Sequence, residues 1–510
     1  MNTNKIIRLR FPGLCHTDRK DDQSSHFPGL WHTDRNADKQ LISLLALIIS
    51  FAPLFVKAQT LTLTQCINEA LTNNVQLNIT KRTNDINAVN LTQAKNAQYP
   101  SLNGNANQGF SFGRSLNPIT YQYVNQNIAT NAFSLTSTFV IYEGRQLANT
   151  ILQDRALYEA GKMDIETYKN TIILGVASGY LQVLLDNELI KIADSTIKSD
   201  KQQIEITKVM VAAGSVPQLN LYQVQSQLAA DQLTKTNNQN QLALDRLTLE
   251  QLMDKPDSTG FDIDKPQLQD PPARLDSVPA ANIYNQSVEN QPQVKSTEKK
   301  LDGANYGIDI ARGAAYPRLV LNSSISTNYS SNRDQTTLQT VPFPEIGYLQ
   351  GNPSQLVIGY PEQRTVSSNY PFFNQVGDNI GEGFIFALTI PIFNNYLIRA
   401  NVQQAKINKD VAFLNDKYTR EQYRKTIEQS YTDFVGTHRQ YLSSEEALRT
   451  ETEAYNTMVV KYKGGAVNAS DLILEKNKYT TAQSTVAQAK YNFIFKQKVL
   501  DFYQGKPITL

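Results

Sequence analysis

The sequence predicts a mixed α/β membrane protein. Two similar halves each run helix, β-hairpin, very long helix, tight turn, helix, with the hairpins in lipid and the helices in water. Three observations predict it. AKNAQYPSL at 94–102 returns 217 residues later as ARGAAYPRL at 311–319, and LTQCINEALTNNVQL at 63–77 precedes AANIYNQSVENQPQV at 280–294 by the same interval. The stretch from Arg145 to Ala213 holds no proline, and as one helix it would reach about 100 Å at 1.5 Å per residue, beyond ordinary globular use. FSLTSTFVI at 133–141 and FIFALTIPI at 384–392 alternate with period two, apolar on one face and small or polar on the other. Such strands suit a transmembrane barrel better than a sandwich, which needs many strands at short spacing.

The N-terminal segment stands apart. FPGLCHTDR at 11–19 recurs as FPGLWHTDR at 27–35. The apolar run LISLLALIISFAPLFV at 41–56 follows Lys39 and ends in Val56-Lys57-Ala58. This is the pattern of a secretory signal cleaved after Ala58, so 1–58 is read as leader and signal peptide, with the true start codon downstream of the repeat. Cys15, His16, His26 and His32 match no metal-ligand spacing and would be removed with it. Beyond residue 58 the chain has 41 basic and 42 acidic residues, which gives no nucleic-acid signature. A mean hydropathy of −0.40 excludes a helical membrane bundle. Cys66 matches Ile283 across the two halves and reads as a buried thiol.

Along the first half (59–253), Leu63, Ile67, Leu71 and Leu77 mark a helix over 61–98, which Pro100 ends. A hairpin follows at about 101–142, with an Asn-rich loop between its strands. Long helices occupy 145–253, broken at Gly214-Ser215-Val216-Pro217. Leu221, Leu228, Leu242 and Leu249 form a seven-residue row interrupted by Lys235, an imperfect coiled-coil period. Residues 254–280 carry five prolines and read as a linker. The second half (281–510) repeats the plan with a helix at 281–315, a hairpin at about 318–393 and helices over 397–463 and 468–503. Here FSLTSTFVIYEG (133–144) matches FIFALTIPIFNN (384–395), and GSVPQLNL (214–221) matches GAVNASDL (465–472), both at 251 residues. The second half therefore carries 34 extra residues within 320–383, read as an enlarged extracellular loop.

Four such strands cannot close a barrel, and open edges do not survive in hydrocarbon, so hairpins of several chains must share one. Phe384, Phe386, Leu388 and Ile390 would face lipid.

The AxxAxYP restart, the strand ending PIFNN, and the paired Gly-x-Val tips before a Leu- and Gln-rich helix resemble the TolC-type outer-membrane efflux family over essentially all of 59–510. The resemblance implies a homotrimer with a twelve-stranded barrel in outer-membrane lipid and a twelve-helix periplasmic tunnel. It implies a passive exit duct for small molecules or secreted proteins, in an efflux or type I secretion system. A periplasmic adaptor would bridge it to an inner-membrane transporter. By position, Gly214, Ser215, Val216 and Gly465, Ala466, Val467 would be the adaptor-docking tips. Asp471 matches a position where the family often places an acid of a pore constriction; a solvated surface carboxylate is the alternative. The family's second acid falls on Leu474, with Glu475 adjacent, and Asn220 is the first-half counterpart of Asp471.

No enzyme chemistry is expected. No nucleophile elbow, phosphate loop, cofactor motif or metal spacing appears, and His438, the only histidine beyond residue 58, is expected to lie exposed on its helix. The competing reading is a structural or adhesive coiled-coil protein of the cell envelope. It accounts for the helices but not for the matched apolar hairpins.

Overall fold

The computed structural model describes residues 60–116, 121–255, 261–275 and 278–509. The leader and signal expected over 1–58 lie outside the described residues. In chain order the first half comprises β1 (Thr60–Leu61), α1 (Leu63–Asn73), α2 (Val75–Asn96), β2 (Ser101–Ser111), β3 (Arg114–Leu116), β4 (Tyr123–Asn125), β5 (Ile128–Glu143), α3 (Gln146–Ala212) and α4 (Gln218–Leu252). Then come β6 (Asp262–Ile263), α5 (Ala280–Ser287), α6 (Pro292–Gly313), β7 (Arg318–Ser330), β8 (Asp334–Val341), β9 (Glu345–Leu349), β10 (Asn352–Ile358) and β11 (Glu362–Asn369). α7 (Phe372–Asp378), β12 (Gly381–Thr389), α8 (Leu397–Lys463) and α9 (Ala469–Tyr503) complete the chain.

Local chemistry sets the boundaries. Thr62 and Gln65 form a capping box at the start of α1: Gln65 N–H donates to Thr62 Oγ1 at 3.3 Å, and Thr62 N–H donates to Gln65 Oε1 at 2.9 Å. The helix expected over 61–98 is in fact broken at Asn74, whose side chain caps α2 by accepting from Leu77 N–H at 2.8 Å. α3 and α8 are each 67 residues and α4 and α9 each 35, with every boundary displaced by 251. Both long helices leave the sheet through a left-handed residue, Arg145 at φ 61° and Tyr396 at φ 62°. Gly144, at φ +60°, lets the first of these turns pass the end of α6: a Cβ there would sit 2.1 Å from the Gly313 carbonyl oxygen.

Four strands form one antiparallel sheet in the order β12-β7-β5-β2. The register places Leu102, Ser137, Ser323 and Phe384 in one cross-strand row and Gly104, Leu135, Ile325 and Glu382 in another. Phe139, Leu321 and Phe386 share that same face. The opposite face carries rows such as Asn103, Thr136, Ser324 and Gly383, and Ser101, Thr138, Asn322 and Ile385. Phe384, Phe386 and Leu388 are 71%, 67% and 61% exposed in the single chain; toward the other end of that face Phe372 of α7 packs on Phe133 and Tyr329, with ring centroids 6.5 and 4.9 Å away. Ile390 lies just beyond β12. Among the described residues the outer edges of β2 and β12 have no partner strand.

The 320–383 segment is more ordered than an irregular loop. β7 runs on to Ser330, β8 pairs with β11 and β9 with β10. Thr- and Ser-rich alternation feeds the β8–β11 ladder. Gln375, 1% exposed, pins its base by donating to the carbonyls of Ser330 at 3.1 Å and Tyr370 at 2.7 Å.

The main core lies where the short helices meet the long ones. Cys66, Val176, Tyr180, Leu249, Ile283, Tyr423 and Phe493 are buried there. Cys66 is a buried thiol, which burial first of all pushes up to about 12. The Pro-rich 254–280 segment is tied across this core. β6 pairs in parallel with β1, and Tyr180 Oη donates to the Asp264 carbonyl at 2.7 Å. Lys235, which breaks the Leu row of α4, pairs with Asp194 of α3 at 2.6 Å. His438 is not exposed. It is 5% accessible, its Nε2 lies 2.6 Å from the Pro272 carbonyl, and its ring is 5.4 Å from that of Phe493. Helical periodicity gave no sign that a distant linker would cover that face.

Candidate functional site

The two helical hairpins end in turns of the same design. Gly214 and Gly465 adopt φ +71° and +74°. At the first tip Ser215 N–H donates to the Met210 carbonyl and Gly214 N–H to that of Val211; at the second Ala466 N–H donates to Lys461 and Gly465 N–H to Tyr462. Each is a Schellman turn, which caps a helix while reversing the chain. Gly214, Ser215, Gly465 and Ala466 are exposed, and Val216 and Val467 are half-buried. A Cβ on Gly465 would meet nothing within 4 Å. Gly465→Ala should therefore cost only the left-handed backbone term, about 1–2 kcal/mol, read as a lower denaturant midpoint.

The tips pack side by side. Ile204, Leu221, Val224, Tyr462, Ala469 and Leu472 form a second buried cluster joining α3, α4, α8 and α9. Polar bonds cross the same seam: the hydroxyls of Thr207 and Tyr462 lie 2.9 Å apart, those of Ser199 and Tyr455 3.2 Å, and Gln227 Nε2 donates to Asn477 Oδ1 at 3.1 Å.

Within this seam sits a buried ionic triad that periodicity did not reveal. Lys476 of α9, 6% exposed, donates to Asp200 of α3 and, at 2.6 Å, to Asp231 of α4. Gln227 donates to both Asp231 oxygens at 3.2 and 3.1 Å. Burial, reinforced by the hydrogen bond to Asp231 and opposed by Lys476, pushes Asp200 up to about 6. At Asp231 burial is outweighed by hydrogen bonds from Asp200, Lys476 and Gln227, which hold its carboxyl below the usual range. One lysine thus faces two carboxyls that share a proton as pH falls. Among the described residues no N–H or hydroxyl donor reaches Asp200 Oδ2. The sequence signal was a lysine and an aspartate at inward positions of long amphipathic helices, visible only once the partner helices are known.

Asp471 is exposed in the first turn of α9, and its N–H donates to the capping Asn468 Oδ1 at 2.9 Å. An acid here also suits the positive end of the helix dipole. Leu474, 58% exposed, follows one turn on, while Glu475 is 13% exposed and pairs with Lys478 at 3.1 Å. Asn220, the counterpart of Asp471, is 8% exposed. The structure thus separates the first-half position, which is packed, from Asp471, which is open. Among the described residues no group of three acidic, His or Cys side chains could hold a metal, and no helix is long and apolar enough to cross a membrane.

The chain matches the family described as outer membrane efflux protein over residues 66–254 and 283–505. It is 24% identical over 380 residues to the pyoverdine export outer membrane protein OpmQ of Pseudomonas aeruginosa, covering 71% of this chain and 68% of that one. It is 24% identical over 445 residues to the cation efflux system protein CusC of Escherichia coli, covering 84% and 83%. A solved structure of CusC superposes with a TM-score of 0.69 at 19% identity over 87% of this chain and 92% of that one. The outer membrane protein VceC of Vibrio cholerae gives 0.68 at 12% over 88% and 97%.

Proposed function

The chain belongs to the outer membrane efflux protein family and is an outer-membrane efflux channel; from that premise we propose that three copies build one passive duct, a twelve-stranded barrel continued by a twelve-helix periplasmic tunnel. Each chain contributes two structural repeats, 59–253 and 281–510. The observation that carries this reading is the four-stranded sheet with two unpaired edges, mostly apolar on one face and rich in Asn, Ser and Thr on the other. Such a sheet is stable in lipid only if its edges are paired by other copies. The apolar face then meets lipid and the amide and hydroxyl face meets the bore.

The tips at Gly214–Val216 and Gly465–Val467 are the adaptor-docking end, and an inner-membrane transporter supplies the energy. Disulfide trapping tests the assembly. Cysteines placed between Asn103 and Asn107 on β2 and between Gly383 and Ala387 on β12, in a Cys66→Ser background, are expected to cross-link between copies and give a covalent trimer ladder. Absence of any intermolecular product along both edges would sink the shared barrel.

If Asp471 lines the bore, three carboxylates converge on the threefold axis and concentrate negative field there. Asp471→Ala is then expected to leave trimers intact and relieve block by divalent cations in single-channel recordings, more than Glu475→Ala does. Equal block in parent and variant would leave Asp471 as a helix-capping surface acid.

A further inference from the structure

At the far end of α9 from the tips lies an open-sided cavity of about 440 Å³, adjoined by a smaller one of about 150 Å³ that shares Asn170, Gln291, Phe502 and Tyr503. Its wall is the turn after α9, where Gly505 at φ +82° lets Lys506 N–H donate to the Asp501 carbonyl. The lining chemistry is of one kind. Carboxamides recur in it: Asn170, Gln291 and Gln504 are half-buried and Gln286 is exposed. Phe502 and Tyr503 supply aromatic surface, with ring centroids 6.1 Å apart. Burial raises the Tyr503 hydroxyl, so it stays a neutral donor. No carboxylate lines either cavity, and the one cation, Lys506, is held by Asp501 at 2.7 Å.

The corresponding described residues of the first half, offset by 217 on the short helices and 251 on the long ones, have a different chemistry. There Met253, 0% exposed, stands where the second half has Gln504. Glu69 approaches Lys255 at 3.6 Å, where the second half has Gln286 beside Lys506. Asp254 accepts from Val75 N–H at 3.0 Å, where the second half has Gly505 and Pro292, a residue with no N–H to give. The second half thus carries amides and a glycine where the first half has a buried Met, an ion pair and a capping carboxylate.

We propose that this cavity is a binding site for a neutral saccharide carrying acetamido groups. Carboxamides offer paired donors and acceptors to acetamido and hydroxyl groups. Aromatic faces suit the apolar face of a pyranose ring. The absence of free charge argues against an ionic ligand. Two sources share that chemistry: the glycan strands of the cell wall, which the tunnel would cross in the periplasm, and free amino-sugar oligomers.

The test uses full-length protein in detergent. Tetra-N-acetylchitotetraose is followed by saturation-transfer NMR, and isolated peptidoglycan sacculi by co-sedimentation. The double variant Gln286→Glu, Gln504→Met installs the residues that the first half carries at these two positions. It is expected to weaken binding at least tenfold while leaving single-channel conductance unchanged, which separates this proposal from the efflux reading. Gln504→Ala, which removes an amide without filling the space, is expected to weaken binding several-fold and guards against misfolding of the double variant. Binding of sacculi as well as the tetramer identifies the wall as the source; binding of the tetramer alone identifies a free saccharide. No binding of either probe, or undiminished binding by both variants, overturns the proposal.

Discussion

Lys476→Met is expected to destabilise the helical hairpins by about 3–5 kcal/mol, because it leaves two buried carboxyls without their only cation. Lys476 and Asp200 have side chains 7% and 3% exposed, so solvent cannot replace the lost partner. The loss should depend on pH. Asp200 has its folded pKa raised to about 6, above the unfolded value of 3.8, so its ionised form penalises the fold above about 6 and the penalty fades as pH falls toward 4. Asp186, raised to about 7 by burial and its neighbour Asp245, acts in the same direction. Unfolding in detergent, followed by helical circular dichroism, should show the largest gap between parent and variant at pH 7.5 and a smaller one at pH 5. Adding Asp200→Asn should recover part of the stability. A variant as stable as the parent at pH 7.5 would show that the triad does not hold the two hairpins together.

Leu388→Arg is expected to cost about 2–4 kcal/mol if that residue lies near the bilayer midplane, and to lower assembled protein in the outer membrane. Its comparison is Ala387→Arg, one residue away on the face that also bears Thr389. The register pairs Leu388 with Leu319 and Ala387 with Val320, so the two arginines leave opposite faces of one sheet. In a lipid-embedded barrel the first is stranded in hydrocarbon and the second reaches the bore. Equal assembly of both variants would contradict the assignment of the apolar face to lipid.

Several features were legible because they are written in local periodicity. Phe384, Phe386 and Leu388 fall at every second position, with Ile385, Ala387 and Thr389 between them, and the pleat of β12 puts the three on one apolar face. The glycines at 214 and 465 interrupt proline-free helical runs, and the only backbone that closes a Schellman turn there is left-handed. The thiol of Cys66 could be placed inside because its counterpart, Ile283, is apolar. Other features depend on which segments meet, and that depends on packing between residues far apart in the chain. His438 is covered by Pro272, 166 residues away, and Lys476 reaches Asp200 across 276 and Asp231 across 245. The short β6 exists only because β1 lies beside it, since two residues have no strand propensity worth the name without a partner. The 320–383 segment folds into two ladders because its hydroxyl-rich strands find each other across a connection whose register no single strand specifies. Along this chain, alternation and helix-breaking residues determined the elements and their exposed faces by sequence alone. Which polar side chains would be buried was decided by tertiary structure, because a charge leaves water only where a specific distant partner replaces it.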